Sequence, residues 1–365
     1  MRLSRILAFA RKEVLEIVRD PITVWISLFM PLVMLFLFGV ALSFDVKDSP
    51  LVVVDHDKSA ASRALADQFL NTTYFRLAGA PEDERMAEHM LMKGQARAVL
   101  SIPPGFARRL AQGEPAPVEF VVDGTYASTA AIVSAYGRAI IYAFPAGSLR
   151  LPIQPEVRVW YNPQLRSRDF IVPGLFAVIL MAFPPLLTAL AVTREKELGT
   201  IAQIYASPLS KSEFVVGKLL PYAAIAFLQL AIVLAGGFLL FKVPMHGSLA
   251  LLVGLGAIYV LTTVSIGLLV STLVRTQVAA MLVTLVLTLM PSFLFSGFIY
   301  PIFTMPKFFQ GYSARIPTMY FVNISRGIVM RGAGLAELWP NVAVLVVYTA
   351  VVLVLATFLL KKRIA

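Results

Sequence analysis

The sequence predicts an α-helical polytopic membrane protein with six transmembrane helices and an α/β extracytoplasmic domain inserted between helices one and two. Of its 365 residues, 58% are hydrophobic and only 15% charged, against about 25% charged in ordinary soluble domains. The apolar residues gather in six uncharged stretches of membrane length. Between the first and second of these lies a long polar segment, in which short β-rich runs alternate with helical patterns.

Residues 1–20 come first. Leu3, Leu7, Ala10, Val14 and Ile17 recur at three- and four-residue spacing, while Arg5, Lys12 and Arg19 fall seven apart. One apolar and one basic face predict an amphipathic helix lying on the inner membrane surface. The apolar run that follows, residues 21–44, is too long for the core of a cleaved signal peptide, so this arm is expected to stay attached. It is long enough to cross about 30 Å of hydrocarbon as a helix that satisfies its own backbone amides.

Residues 45–168 read as the inserted domain. Runs at 51–54, 96–102, 118–122 and 157–161 are short and β-rich, and helical patterns at 59–70, 82–93, 104–112 and 128–144 separate them. Such alternation favours a sheet with helices packed on it. Asp55-His56-Asp57 stands at a strand end, where Asp forms turns and caps the next helix.

Five further spans follow, at 170–193, 219–241, 243–274, 276–306 and 338–360. The fourth and fifth of the six exceed one crossing and are expected to include turns or re-entrant pieces. Orientation follows from Lys and Arg near the span ends, which favour the cytoplasmic side. Arg2, Arg5, Arg11, Lys12, Arg19, Arg194, Lys196, Lys211, Lys218, Arg275, Lys361, Lys362 and Arg363 all fall on one side, thirteen bases against six acids. Residues 45–169 hold fourteen of each and no net charge. The net charge of +11 is therefore a topology signal and gives no support to a nucleic-acid partner. It places both termini in the cytoplasm. Lys307, Arg315, Arg326 and Arg331 fall on the opposite side, and the mixed stretch 312–329 is expected to lie against the outer leaflet.

The chemistry the chain lacks narrows its function. It has no cysteine, which removes disulfides and thiolate chemistry. No phosphate loop occurs: Gly217-Lys218 is followed by Leu219, with Ser212 where the first glycine belongs. His56, His89 and His246 are far apart and lack paired ligand spacing. The middles of the spans offer Gln229, hydroxyls and the kink formers Pro184, Pro185 and Pro291, where a proton-coupled transporter or an intramembrane protease needs ionisable groups. No catalytic, cofactor-binding or metal site is expected in this chain, and energy must enter through a partner.

Residues 194–218 form the inner loop. Charge crowds its start, Ile201, Ile204 and Tyr205 make a small apolar stripe, and Ser207-Pro208 ends the helix. This reads either as a solvated connector or as a short helix offered to a groove in another protein.

The run Arg194-Glu195-Lys196-Glu197-Leu198-Gly199-Thr200, then Ser207-Pro208-Leu209 and Gly217-Lys218, resembles the signature loop of type-2 ABC exporter permeases. Trp160-Tyr161-Asn162-Pro163, Pro173-Gly174, Ser296-Gly297-Phe298, Pro301, Met305-Pro306, Pro317 and Arg326-Gly327-Ile328 resemble the multidrug-efflux subgroup that carries a large periplasmic domain. Ala202 departs from it, because the family often has Glu there.

The resemblance implies the permease subunit of an exporter in the bacterial inner membrane, moving a drug, lipid or lipid-linked compound outward. A separate ABC ATPase binds ATP and Mg²⁺. A second permease copy or a sister permease completes the membrane unit, and a periplasmic adaptor with an outer-membrane channel is a further partner. Arg194, Glu195, Glu197, Gly199, Thr200, Ile201, Tyr205 and Pro208 are the residues expected to couple to the ATPase, with the two glutamates as charged anchors. Residues 297–337 are expected to re-enter the outer leaflet, with Ser296, Gly297, Pro301 and Arg326 at this gate region. Arg326 either faces a headgroup or an acidic neighbour, or snorkels. The competing function is a membrane-anchored receptor or envelope scaffold.

Overall fold

The computed structural model describes residues 2–42, 48–125, 127–144, 166–202, 207 and 209–360. The chain divides into two compact units, Met1–Ser43 with Val159–Ala365, and Phe44–Arg158. In chain order the elements begin with α1 (Leu3–Val18) and α2 (Pro21–Ala41). The second unit supplies β1 (Ser49–Asp55), α3 (Ala60–Leu70), β2 (Phe75–Gly79), α4 (Glu84–Met92), β3 (Ala98–Ile102), α5 (Phe106–Ala111), β4 (Glu119–Val122) and α6 (Ala127–Ala143). The first unit resumes with α7 (Ser167–Glu197), α8 (Lys211–Leu239), α9 (Leu249–Leu273), α10 (Gln277–Phe295), a 3₁₀ turn (Ile302–Thr304), α11 (Lys307–Ser313), α12 (Pro317–Arg331) and α13 (Leu335–Leu359).

Among the described residues six helices are long and apolar enough to cross a membrane: α2 from Thr23, α7, α8, α9, α10 and α13. Local sequence starts them. Pro21 opens α2 behind Asp20, whose carboxylate accepts from the Thr23 amide, and Ser210 with Glu213 forms a capping box on α8. Helix α7 is apolar on every side, so it becomes the axis of the bundle. It packs against α2, α8, α9, α10 and α12. Pro184 and Pro185 remove two amides from its ladder, and the Thr188 hydroxyl donates to the Pro184 carbonyl at 2.8 Å. The outer helices α2 and α13 leave Trp25, Phe29, Phe36, Val347 and Phe358 exposed, as lipid-facing surfaces do.

The long apolar stretches 243–274 and 276–306 resolve into shorter helices. Residues 243–248 precede α9, and the chain leaves α10 at Ser296 before the 3₁₀ turn. The stretch 312–329, expected to lie against the outer leaflet, is divided between two helices. Pro317 begins a separate helix, and one face of α12, including Phe321, Val322, Ile324, Ile328 and Val329, is buried in the bundle. Interleaved Arg and apolar residues resemble an interfacial pattern, but here the apolar face meets α7, α9 and α13.

The second unit contains a four-stranded sheet in the order β2-β1-β3-β4. β1 runs parallel to β2 and β3, and β4 is antiparallel to β3. Leu51, Val53, Leu100 and Ile102 pack with Leu65, Phe69 and Phe106 on one face, and Val52, Val54 and Val99 with Ala87 on the other. Burial on both faces explains the unbroken apolar run of β1. The strand β2 was not legible in the sequence, because Arg76 and Gly79 dilute a short run. The run 157–161 lies outside the described residues. Asp57 accepts from the Gly105 and Ala107 amides at 2.8 and 3.1 Å, and Asp55 from the amides of Asp57 and Lys58, so both carboxylates serve turns and a cap.

Candidate functional site

The N-termini of α2, α8 and α10 and the C-termini of α7 and α9 gather at one end of the first unit, joined by side-chain bonds. Helix α1 lies along the first turns of α8. Phe214, Lys218 and Tyr222 share one face of α8 at four-residue spacing, and Phe9 and Glu13 of α1 meet it. The Phe9 and Phe214 rings lie 5.4 Å apart. Lys218 Nζ is 2.6 Å from Glu13 Oε2 and 2.9 Å from Glu195 Oε2, so one ammonium joins α1, α7 and α8. Lys12 Nζ reaches Glu195 at 2.6 Å, Glu16 at 2.9 Å and Glu13 at 3.0 Å. The Tyr222 hydroxyl also donates toward Glu13, at 3.4 Å.

The Lys218 and Glu13 side chains are 1% and 0% exposed. Removing an ion from water costs several kcal/mol, so each charge here must be matched by its neighbours. Glu13, Glu16 and Glu195 bring carboxylate oxygens within 4.8 Å of one another, the spacing of a metal cage. Two ammoniums stand among them and supply the countercharge. Half-burial alone pulls Lys12 down, but its hydrogen bonds to Glu195 and Glu16 outweigh that, and its pKa is raised. Two further ties fix α1. Glu213 accepts the Arg2 amide at 2.7 Å, and Asp20, just past the helix, pairs with Arg194 at 2.9 Å. The Thr23 amide and hydroxyl, then Arg194, hold the Asp20 carboxyl below its usual range. A cavity of about 560 Å³ opens beside the joint, between Ile17, Leu187, Leu190 and the Arg194–Asp20 pair.

The expected coupling residues divide into two groups. Arg194, Glu195 and Glu197 bond within the chain: to Asp20, to Lys218 and Lys12, and to Gln277. Glu197 Oε2 accepts the Gln277 amide at 3.0 Å and its side-chain Nε2 at 3.1 Å. Lys196 Nζ donates to the Ser271 carbonyl, and to that of Val274 at 3.1 Å. In the second group Gly199 and Thr200 are exposed and Ile201 is half-buried; Gly199 takes φ +75° with open space where a Cβ would stand, and its neighbour Leu198, not among the residues expected to couple, is 67% exposed. Gly199 is the left-handed residue that stops α7, a conformation costly for any residue with a Cβ. Thr200 donates to the Glu195 carbonyl at 3.3 Å. Tyr205 and Pro208 lie outside the described residues, as do Trp160-Tyr161-Asn162-Pro163, Lys361, Lys362 and Arg363.

At the opposite end Ser296 is buried and donates to the Ser292 carbonyl, and Gly297 turns the chain at φ +79°. Pro301 opens the 3₁₀ turn. The Arg326 guanidinium donates to three carbonyls, those of Phe170 at 3.1 Å and of Gly297 and Phe298 at 2.8 Å each. It stacks 3.6 Å over the Phe170 ring. These bonds to backbone carbonyls tie the start of α7 to the chain leaving α10.

Sequence reasoning missed Glu13 and Lys218. They are 205 positions apart, and the apolar stripe read on α1 was the exposed one, with Leu3, Leu7 and Val14 outward. The buried stripe is Ile6, Phe9 and Glu13. An acid on an apolar stripe was the available signal.

A family profile described as "ABC-2 family transporter protein" matches residues 21–358. The chain is 31% identical over 354 residues, 95% of each protein, to the probable multidrug ABC transporter permease YbhR of Escherichia coli K12. It is 29% identical to the probable multidrug ABC transporter permease YbhS of the same organism, over 98% of this chain and 97% of the relative. The linearmycin resistance permease protein LnrN of Bacillus subtilis is 22% identical, over 96% and 97%.

Proposed function

The chain belongs to the ABC-2 family of transporter proteins, and on that premise we propose that it exports an amphipathic compound using force received at the α7–α8 loop. It is a multi-pass permease subunit of multidrug-like type in the bacterial inner membrane, and its family implies a partner ATPase. The ATPase docks on the stretch beginning at Leu198, with Gly199, Thr200, Ile201 and the loop residues Tyr205 and Pro208. ATP and Mg²⁺ stay on that partner. Arg194, Glu195 and Glu197 hold the loop from behind. A second permease completes the pathway.

The observation that carries this reading is the buried Glu13–Lys218–Glu195 joint. Both arms of the loop are bound to α1 and to each other, so a push on the loop moves a rigid body and is not lost in side-chain motion. In this reading α1 and both termini are cytoplasmic, and the unit spanning residues 44–158 is extracytoplasmic. Residues 297–337 re-enter from the outer side, and an adaptor meets the external unit.

Since the chain has no cysteine, single cysteines report topology without background. Met92→Cys, at a position 81% exposed, should react with a membrane-impermeant maleimide in intact spheroplasts. Leu198→Cys should react only after permeabilisation. The opposite pattern refutes the orientation. Purification without any ATPase would favour the receptor or scaffold instead.

A further inference from the structure

The last turn of α7 grips the turn between α9 and α10 from both sides. Lys196 Nζ donates to the carbonyls of Ser271 and Val274 at the end of α9. Glu197 Oε2 accepts the amide and side chain of Gln277, the first residue of α10. Helix C-termini carry unpaired carbonyls and partial negative charge, and N-termini carry unpaired amides and partial positive charge. Each side chain therefore meets the helix end of opposite sign. Arg275 adds positive charge to the same turn, so Lys196 is held by carbonyl dipoles and not by net charge.

The grip sits one residue before Leu198 and Gly199, where α7 stops. It joins three spans: α7 by its own backbone, α9 by its final carbonyls and α10 by its first amide. Thr276 caps α10 within the turn, so the connection between α9 and α10 is short and can transmit displacement. Helix α10 packs along α7, and its far end leads to Gly297 and Phe298, the carbonyls that Arg326 holds.

We propose that Lys196 and Glu197 are positioning residues that pass the movement of the ATPase-docking loop to the α9–α10 turn, and so to α10. This rests on the exporter reading. It assigns both side chains to an internal linkage, where a signature-loop charge would otherwise be taken as a contact with the ATPase.

The test uses the complete complex of permease and ATPase in proteoliposomes. Lys196→Met and Glu197→Ala should each keep the ATPase bound and hydrolysing, while transport per ATP falls about tenfold. Lys196→Arg, which can still donate to two carbonyls, should stay within about twofold of wild type. A disulfide between Glu197→Cys and Gln277→Cys should restore coupling when oxidised and lose it when reduced. Loss of the ATPase from Glu197→Ala would make Glu197 an ATPase contact and overturn the proposal, as would unchanged coupling in both variants or a disulfide that restores nothing. If the wild-type complex itself neither assembles nor couples, the exporter reading fails first and takes this proposal with it.

Discussion

Lys218→Met should destabilise the permease by about 3–5 kcal/mol, because it removes one of the two ammoniums among Glu13, Glu16 and Glu195 and leaves buried Glu13 with Lys12 alone, at 3.0 Å. The loss comes from the stranded carboxylates more than from the missing bond. The double variant Glu13→Gln with Lys218→Met should therefore recover more than half of it, since Glu195 keeps Lys12 at 2.6 Å. Thermal unfolding in nanodiscs, run as a double-mutant cycle, reads the difference. Equal destabilisation by the single and double variants would mean that Lys218 acts through its packing against Phe9 and Tyr222. A single variant as stable as wild type would remove the joint from the account.

Arg326→Met should cost about 2–4 kcal/mol, because three carbonyls lose their donor and each buried unsatisfied group costs roughly 1–3 kcal/mol, part of which water recovers. Arg326→Lys should recover little. An ammonium lacks the planar fork that meets all three carbonyls at once, and it cannot stack flat on Phe170. Hydrogen exchange should rise at residues 297–304 and stay unchanged at the joint near Lys218. A rise at both ends would show global loosening and contradict a local clamp.

Much of the transmembrane architecture was legible because the bilayer imposes it. A spanning helix must be apolar for its whole length, and the six stretches could hardly be read otherwise. The ends of the fourth and fifth spans were less legible, because residues 243–248 and 296–306 lie in uncharged stretches yet are not α-helical. The burial of one face of α12 was less legible for a related reason: its composition suits a membrane surface, and only tertiary contacts bury it. The candidate site was half legible. The charged run at 194–197 announces itself, but the sequence cannot say which way each charge points. Arg194, Glu195, Lys196 and Glu197 find their partners at positions 20, 12 and 218, 271 and 274, and 277, distances along the chain that no local pattern encodes. The sequence reading ended the helix at Ser207-Pro208, whereas α7 itself stops at Gly199, a position that the rule for glycine at helix C-termini favours.

The joint matters only if something pushes on it. A photoreactive residue at Leu198, carried on the full-length permease in living cells, tests this directly. The account expects a covalent adduct with a cytoplasmic ATPase, absent when the same residue replaces Met92. An adduct with an extracytoplasmic protein, or none at all with the permease correctly inserted, would contradict it.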